Sequence, residues 1–308
     1  MDYTRHMSSS EKHVFGIPDL AIILTTACWG LNFVITKTAA GNDPEQFRIF
    51  IYNIIRFSLA SGLLFLTLRL KGDDPRIGKR QLLEVAGLSF VGIFVYQILY
   101  MVGQTHTSAS NIGIIYSFMP LLILIVSVIA RIERPTLFTI AGVLMGCIGL
   151  AVILFEGGRL TLDIGSLLFL LACLCFASYA VLGKPVLDKI PPVKLMAWIL
   201  LFGTVYQLPL ALWQLPAQSW GEIAGPNYLY VVLAGILSQY VGYTLFYFAI
   251  SRLGPSRSGV YTNLTPVFTL LFAVLLRGER ILTIHIIGFA IIVCGIAVTK
   301  IRGGQATR

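Results

Sequence analysis

Residues 120–149 read PLLILIVSVIARIERPTLFTIAGVLMGCIG, and residues 266–295 read PVFTLLFAVLLRGERILTIHIIGFAIIVCG. Laid over one another, Pro120, Arg131, Glu133, Arg134, Gly142 and Gly149 fall on Pro266, Arg277, Glu279, Arg280, Gly288 and Gly295, each displaced by 146 positions. A shift of 147 carries Cys28, Trp29 and Lys37 onto Cys175, Phe176 and Lys184, and Tyr96 and Tyr100 onto Tyr243 and Tyr247. So many matches in one register mark two copies of one unit.

What surrounds the two stretches identifies their solvent. Of 308 residues, 56% are hydrophobic and only 12% charged, and mean hydropathy is +0.83; ordinary soluble domains carry about 25% charge. A helix that crosses the hydrocarbon needs about 20 mostly apolar residues. Such runs occur at roughly 17–39, 47–69, 82–103, 108–130, 136–155, 164–184, 193–214, 228–250, 257–276 and 281–300. The expected fold is an all-α integral membrane protein of ten transmembrane helices, arranged as two five-helix repeats. The repeats occupy 17–156 and 157–301, with tails at 1–16 and 302–308. The links between runs are short, which excludes a soluble catalytic domain. The first 16 residues are polar and lack the apolar core of a secretory signal, so the first span is expected to be retained. Asp2 after Met1 excludes the N-myristoylation pattern.

Five is an odd number, so the second copy must enter the membrane from the opposite face. Inverted repeats of this kind characterise secondary transporters, whose two halves expose one central site to either side in turn. Loop charge orients the pair. With both termini in the cytoplasm, seventeen Lys and Arg fall inside and five outside, the asymmetry that membrane insertion produces. The net charge of +9 thereby records topology, and no nucleic-acid partner is expected. The expected location is the cell membrane, multi-pass.

The run from Trp29 to Val34 (WGLNFV), Asp43-Pro44, Arg56, and the Pro, Glu-Arg and Gly pattern that ends each half resemble the EamA group of the drug/metabolite transporter superfamily. The resemblance covers essentially the whole chain and occurs twice in register. It implies a secondary transporter working by alternating access. Within the group the chain is similar to bacterial exporters of aromatic and other amino acids. One departure stands out: the second half has no counterpart of Arg56, because the seventh run carries no charge after Lys194.

Arg56 lies well inside the second span, where a charge costs at least roughly 2.5–3.5 kcal/mol on insertion scales and should face the bundle interior or water. Either it attracts a substrate carboxylate or gates the pathway, or it is held in an internal ion pair or caps the carbonyls of a broken helix. Tyr52 and Asn53 share its face at i−4 and i−3. Trp29, Asn32 and Phe33 form an i, i+3, i+4 stripe on the first span, and Phe176, Tyr179 and Ala180 repeat it on the sixth. These stripes line the central site or else pack helix on helix. The third span offers Gln97 beside Tyr96, and Tyr96, Tyr240 and Tyr243 lie deeper than the interfacial belt that suits Tyr228 and Tyr230, at a depth where a lone hydroxyl is costly. Pro120 and Pro266 each interrupt a span, which frees a carbonyl and makes these spans candidate hinges; Ser117 and Asn263 stand three residues before them. The site set for a small-molecule substrate is accordingly Trp29, Asn32, Tyr52, Arg56, Tyr96, Gln97, Phe176, Tyr179, Tyr240, Tyr243 and Asn263.

Other features have plainer readings. Gly142, Gly146 and Gly149, with Gly288 and Gly295, make small-residue faces for close helix contact, within the chain or between subunits. Glu133 and Glu279 sit between positive residues at turns and read as structural pairs. His106 and His285 read as surface groups near span ends. Cys28, Cys147, Cys173, Cys175 and Cys294 lie inside apolar runs and read as packing residues. No phosphate-binding loop, dinucleotide loop, zinc signature or paired intramembrane carboxylate occurs. No cofactor or metal is expected, nor an enzyme. Asp19, Glu45, Glu84 and Asp163 fall near span ends or in loops, so proton coupling has no obvious carrier.

Overall fold

The computed structural model describes residues 15–107, 112, 115–154, 163–277 and 283–300. Glu279 and Arg280, and both tails apart from Phe15 and Gly16, lie outside the described residues. Helices account for nearly all of the rest, and among the described residues the only β pairing is one isolated bridge, Ala40 to Phe47. Among the described residues seven helical tracts are long and apolar enough to cross a membrane, and shorter apolar helices at Met119–Ile129 and Leu137–Val152 accompany them.

The elements in chain order begin with α1 (Ile17–Ala39) and α2 (Ile49–Leu70). α3 (Lys79–Ser89) then runs through a π-helical turn (Phe90–Val95) into α4 (Tyr96–Thr105). α5 (Met119–Ile129), α6 (Leu137–Leu154), α7 (Ile164–Leu182), the single turn α8 (Lys184–Leu187) and α9 (Pro192–Gln214) follow. α10 (Gly225–Leu233) passes through a second π-helical segment (Ala234–Gly242) into α11 (Tyr243–Leu253). α12 (Pro255–Tyr261), α13 (Leu264–Arg277) and α14 (Thr283–Lys300) complete the described elements.

Local chemistry starts these helices where the sequence changes. The Gly16 amide donates to the Asp19 carboxylate at 2.9 Å, with Pro18 in the first turn of α1, and Asp163 caps α7 by accepting from the Ser166 amide at 2.7 Å. The π-helical turns stand at matching places in the two copies, each just before a matched tyrosine, Tyr96 or Tyr243. Such insertions are frequent at functional sites.

Helix contacts repeat as the sequence does. α6 packs along α14 and α2 along α9; the contact of α4 with α7 is matched by α11 with α1, and that of α5 with α7 by α13 with α1. Shifting the chain by one repeat exchanges the members of each pair.

The glycine faces are used inside the chain. A Cβ on Gly142 would lie 2.5 Å from the Gly295 carbonyl oxygen, and one on Gly149 would lie 2.7 Å from that of Gly288. α6 and α14 are thus in backbone contact, as small residues permit.

The prolines do not act as the sequence suggests. The helical run breaks before them, at Phe118 and at Thr262–Asn263, and each helix restarts so that Pro120 and Pro266 sit in its first turn. There a missing N–H costs nothing. The turn upstream is therefore the irregular element, and proline restarts the helix after it.

At the end of the bundle distal to the termini, the α1–α2 link is tied to the α9–α10 link. Arg48 and Phe50 amides donate to the Gln218 and Gln214 side chains at 2.7 and 2.9 Å, and Ala224 N and Asn227 Nδ2 donate to the Glu45 carbonyl at 3.0 and 2.8 Å. At the terminal end, Trp198 Nε1 donates to the Pro75 carbonyl at 2.9 Å and Lys189 pairs with Glu84 at 3.0 Å.

Candidate functional site

Arg56 projects from α2 into the bundle and is 5% exposed. Its Nη1 donates to Asn32 Oδ1 of α1 at 3.2 Å and its Nη2 to Asn53 Oδ1 at 2.5 Å. The guanidinium carbon lies 4.9 Å from the centre of the Tyr52 ring and 5.4 Å from that of Phe57. Among the described residues no carboxylate lies within salt-bridge distance, and Nε has no partner. Two neutral amides and two ring faces thus hold a full positive charge, with cation–π attraction of about 2 kcal/mol per desolvated ring. The charge is positioned but not neutralised. Thr36 braces the arrangement, with its Oγ1 3.4 Å from Asn32 Oδ1 and 3.3 Å from the Tyr52 hydroxyl.

One turn along α1 stands the second component. Trp29 is 7% exposed and meets Phe176 at 5.9 Å, Tyr243 at 5.3 Å and Phe246 at 5.1 Å between ring centres. Phe176 in turn touches Tyr96 at 5.6 Å and Tyr179 at 6.0 Å, and Tyr96 touches Tyr100 at 5.6 Å. α1 and α11 meet α4 and α7 here, so the rings come from both copies. The arrangement offers an anion receptor beside an aromatic surface. Trp29 Nε1 is buried without a partner, and its indole lies against Gly242 at the end of the second π-helical segment, where a Cβ would come within 2.9 Å of it.

The residues expected from sequence sort into three groups. Trp29, Tyr96, Phe176, Tyr179 and Tyr243 share the ring cluster, although the Tyr179 hydroxyl turns to Met196 Sδ at 3.6 Å. Asn32, Tyr52 and Arg56 form the polar cluster. Gln97 is half-buried on α4; Tyr240 points to α2, its hydroxyl 2.9 Å from Thr67 Oγ1; and Asn263 is fully buried in the α12–α13 turn against Gly146 of α6. Thr36, Phe246 and Gly242 join the site without having been singled out. Thr36 follows Asn32 by four residues and Phe246 follows Tyr243 by three, so helical spacing carried a signal for both. The position matching Arg56 in the second copy is Gly203, whose missing side chain is replaced by Ile93.

A cleft of about 380 Å³ between α3 and α7 is lined by the Glu84–Lys189 pair and by Tyr179, a member of the ring cluster. Glu133 does not bridge Arg131 or Arg134. Its Oε2 accepts from the Ser256 amide at the start of α12 at 3.0 Å, and burial pushes its carboxyl above the usual carboxylate range, against the lowering effect of the Ser256 bonds.

Comparison with known proteins agrees with this architecture. The EamA-like transporter family matches residues 16–155 and again 163–301. The uncharacterised transporter YetK of Bacillus subtilis (strain 168) is 26% identical over 267 residues, covering 85% of this chain and 81% of that protein. A protein described as a probable terminal-alkyne amino-acid exporter, from Streptantibioticus cattleyicolor, is 24% identical over 285 residues, covering 92% and 93%. A solved crystal structure superposes with a TM-score of 0.76 at 20% identity, covering 91% of this chain and 95% of its own. With both halves matched, this multi-pass membrane protein belongs to the EamA-like transporter family of the drug/metabolite transporter superfamily.

Proposed function

We propose that this transporter has ten spans in two inverted halves, with both termini in the cytoplasm, and that it exports aromatic and other neutral amino acids across the cell membrane by alternating access. The observation that carries the substrate reading is Arg56: a buried guanidinium, held by Asn32 and Asn53 without a carboxylate partner, one helical turn from a cluster of aromatic rings. A substrate carboxylate would supply the missing counter-charge, as charge-assisted bonds to Arg are strong in a dry site, while an apolar or aromatic side chain lies against Trp29, Phe176 and Tyr243. The exchange-symmetric helix contacts and the doubled family match support the two-halved arrangement. The printed description of the Streptantibioticus relative supports an amino-acid substrate.

Phosphorylated anions fit less well, because Lys184 is engaged by Asp188 at 2.8 Å and Lys37 stands at a helix end, where snorkelling to headgroups accounts for it. The reading is tested by competition. Purified protein in liposomes should take up labelled phenylalanine or tryptophan saturably, with inhibition by other neutral amino acids and not by phosphate esters or hydrophobic cations. Inhibition by the cations alone would overturn it in favour of drug efflux.

The ring cluster makes its own prediction. Gly242→Ala places a methyl against the Trp29 indole, a rigid group that must move. The expected result is a rise in KM of at least threefold at unchanged membrane abundance; an unchanged KM would remove Trp29 from the substrate surface.

A further inference from the structure

α12, Pro255–Tyr261, is held at both of its ends by carboxylates from the first copy. At its start the Ser256 amide donates to Glu133 of the α5–α6 link at 3.0 Å. At its other end the Tyr261 hydroxyl donates to Asp19 Oδ1 of α1. Asp19 also pairs with Lys300 at the end of α14 at 2.9 Å, and Lys300 in turn lies 4.7 Å from the centre of the Phe15 ring. Asp19 is only 5% exposed, so this carboxylate is no idle surface group at a helix end.

The α-helical hydrogen-bond pattern lapses immediately after α12: Thr262 and Asn263 form a turn whose amides donate three residues back, to Gly259 and Val260, while Thr262 keeps helical backbone angles. The Asn263 side-chain amide there is fully buried with neither of its polar atoms bonded. A buried amide left without partners is a reservoir of strain at that turn. α12 is thus a short rigid piece on a weak joint, fastened at the terminal end of the bundle.

The fastening is not a property of the repeat. The position matching Asp19 in the second copy is Ser166, whose hydroxyl lies 2.9 Å from Thr107 Oγ1, and the Thr107 hydroxyl also donates to the Asp163 carboxylate at 2.9 Å. The positions matching Tyr261 and Lys300 are Ile115 and Leu154, which cannot form an ion pair or donate a hydrogen bond. The Asp19–Lys300–Tyr261 set is thus particular to the end of the bundle at which α1 starts and α14 finishes.

We infer that α12 is the gate at the terminal end of the bundle, locked by the Asp19–Lys300–Tyr261 triad together with Glu133, and that separating Asp19 from Lys300 is the event that lets it open. α1 carries Asp19 near its start and Trp29 and Asn32 farther along the same helix, so a substrate that shifts α1 strains the lock directly. That coupling rests on the proposed substrate site; the lock itself does not.

Hydrogen exchange of the purified protein, read by mass spectrometry on peptides covering 255–262, tests the lock without any substrate. Asp19→Asn and Lys300→Met are each expected to speed exchange there at least tenfold, with the distal link at 218–227 unchanged. The charge-reversed pair Asp19→Lys with Lys300→Asp is expected to recover most of the protection, which separates loss of the lock from loss of the fold. Unchanged exchange at 255–262 in the single variants, equal acceleration throughout the chain, or singles that act while the reversed pair restores nothing would each overturn the inference. A failure of amino-acid flux would leave these results untouched.

Discussion

Arg56→Ala is expected to reduce transport at least tenfold while the amount of protein in the membrane stays near that of the wild type. Two effects of the substitution on stability oppose one another. Removing a charge at membrane depth relieves an insertion cost of at least roughly 2.5–3.5 kcal/mol, whereas the side-chain carbonyls of Asn32 and Asn53 lose their donors at about 1–3 kcal/mol per buried group. The sum is near balance, so abundance should move little. Transport has no such compensation, because with the guanidinium gone a substrate carboxylate enters an apolar site unpaired. Loss of one charge-assisted bond, about 1.5–3 kcal/mol, is one to two powers of ten in rate or affinity. Arg56→Lys should fall between, since one ammonium cannot span both amides and lie over the Tyr52 ring. Initial rates normalised to protein in the bilayer decide it, and wild-type flux in Arg56→Ala would exclude the residue from the site.

Gly149→Val should show the largest effect on stability. Its Cβ would come within 2.7 Å of the Gly288 carbonyl oxygen and 2.8 Å of the Ile292 amide nitrogen, both backbone atoms that cannot rotate away. α6 and α14 must then separate along their length. Overpacking of a well-filled contact costs typically about 1–3 kcal/mol and more where backbone must shift, so a fall in melting temperature of several degrees is expected for the purified protein. Gly62→Val is the control: nothing lies within 4 Å of a Cβ there, and its melting temperature should match that of the wild type. Equal melting of all three proteins would contradict a backbone contact between α6 and α14.

Much of this arrangement was legible in the sequence, and the exceptions share a cause. The repeat register located helices and paired Trp29 with Phe176, because hydropathy and identity act locally. The π-helical turns at Phe90–Val95 and Ala234–Gly242 were not legible, since one extra residue in a uniformly apolar run leaves no periodicity to violate. The prolines were legible as irregular places but misread in mechanism: the break lies just upstream, at Phe118 and Asn263. Asp19 and Glu133 looked like end-of-span carboxylates because nothing local marks them otherwise. Their partners Tyr261 and Ser256 stand 242 and 123 residues away, and only the packed bundle brings them together. Arg56 was conspicuous by its depth, yet the choice between an internal ion pair and an open charge needed its neighbours to be known.

The central claim is that a carboxylate-bearing aromatic solute crosses the membrane through this site. Liposomes holding the purified protein and preloaded with labelled phenylalanine or tryptophan test it most directly. The account predicts saturable release, faster than from protein-free liposomes, accelerated by unlabelled substrate on the other side and reduced at least tenfold in Arg56→Ala. Release equal to that of protein-free liposomes, from wild-type protein that melts as a folded species, would contradict it.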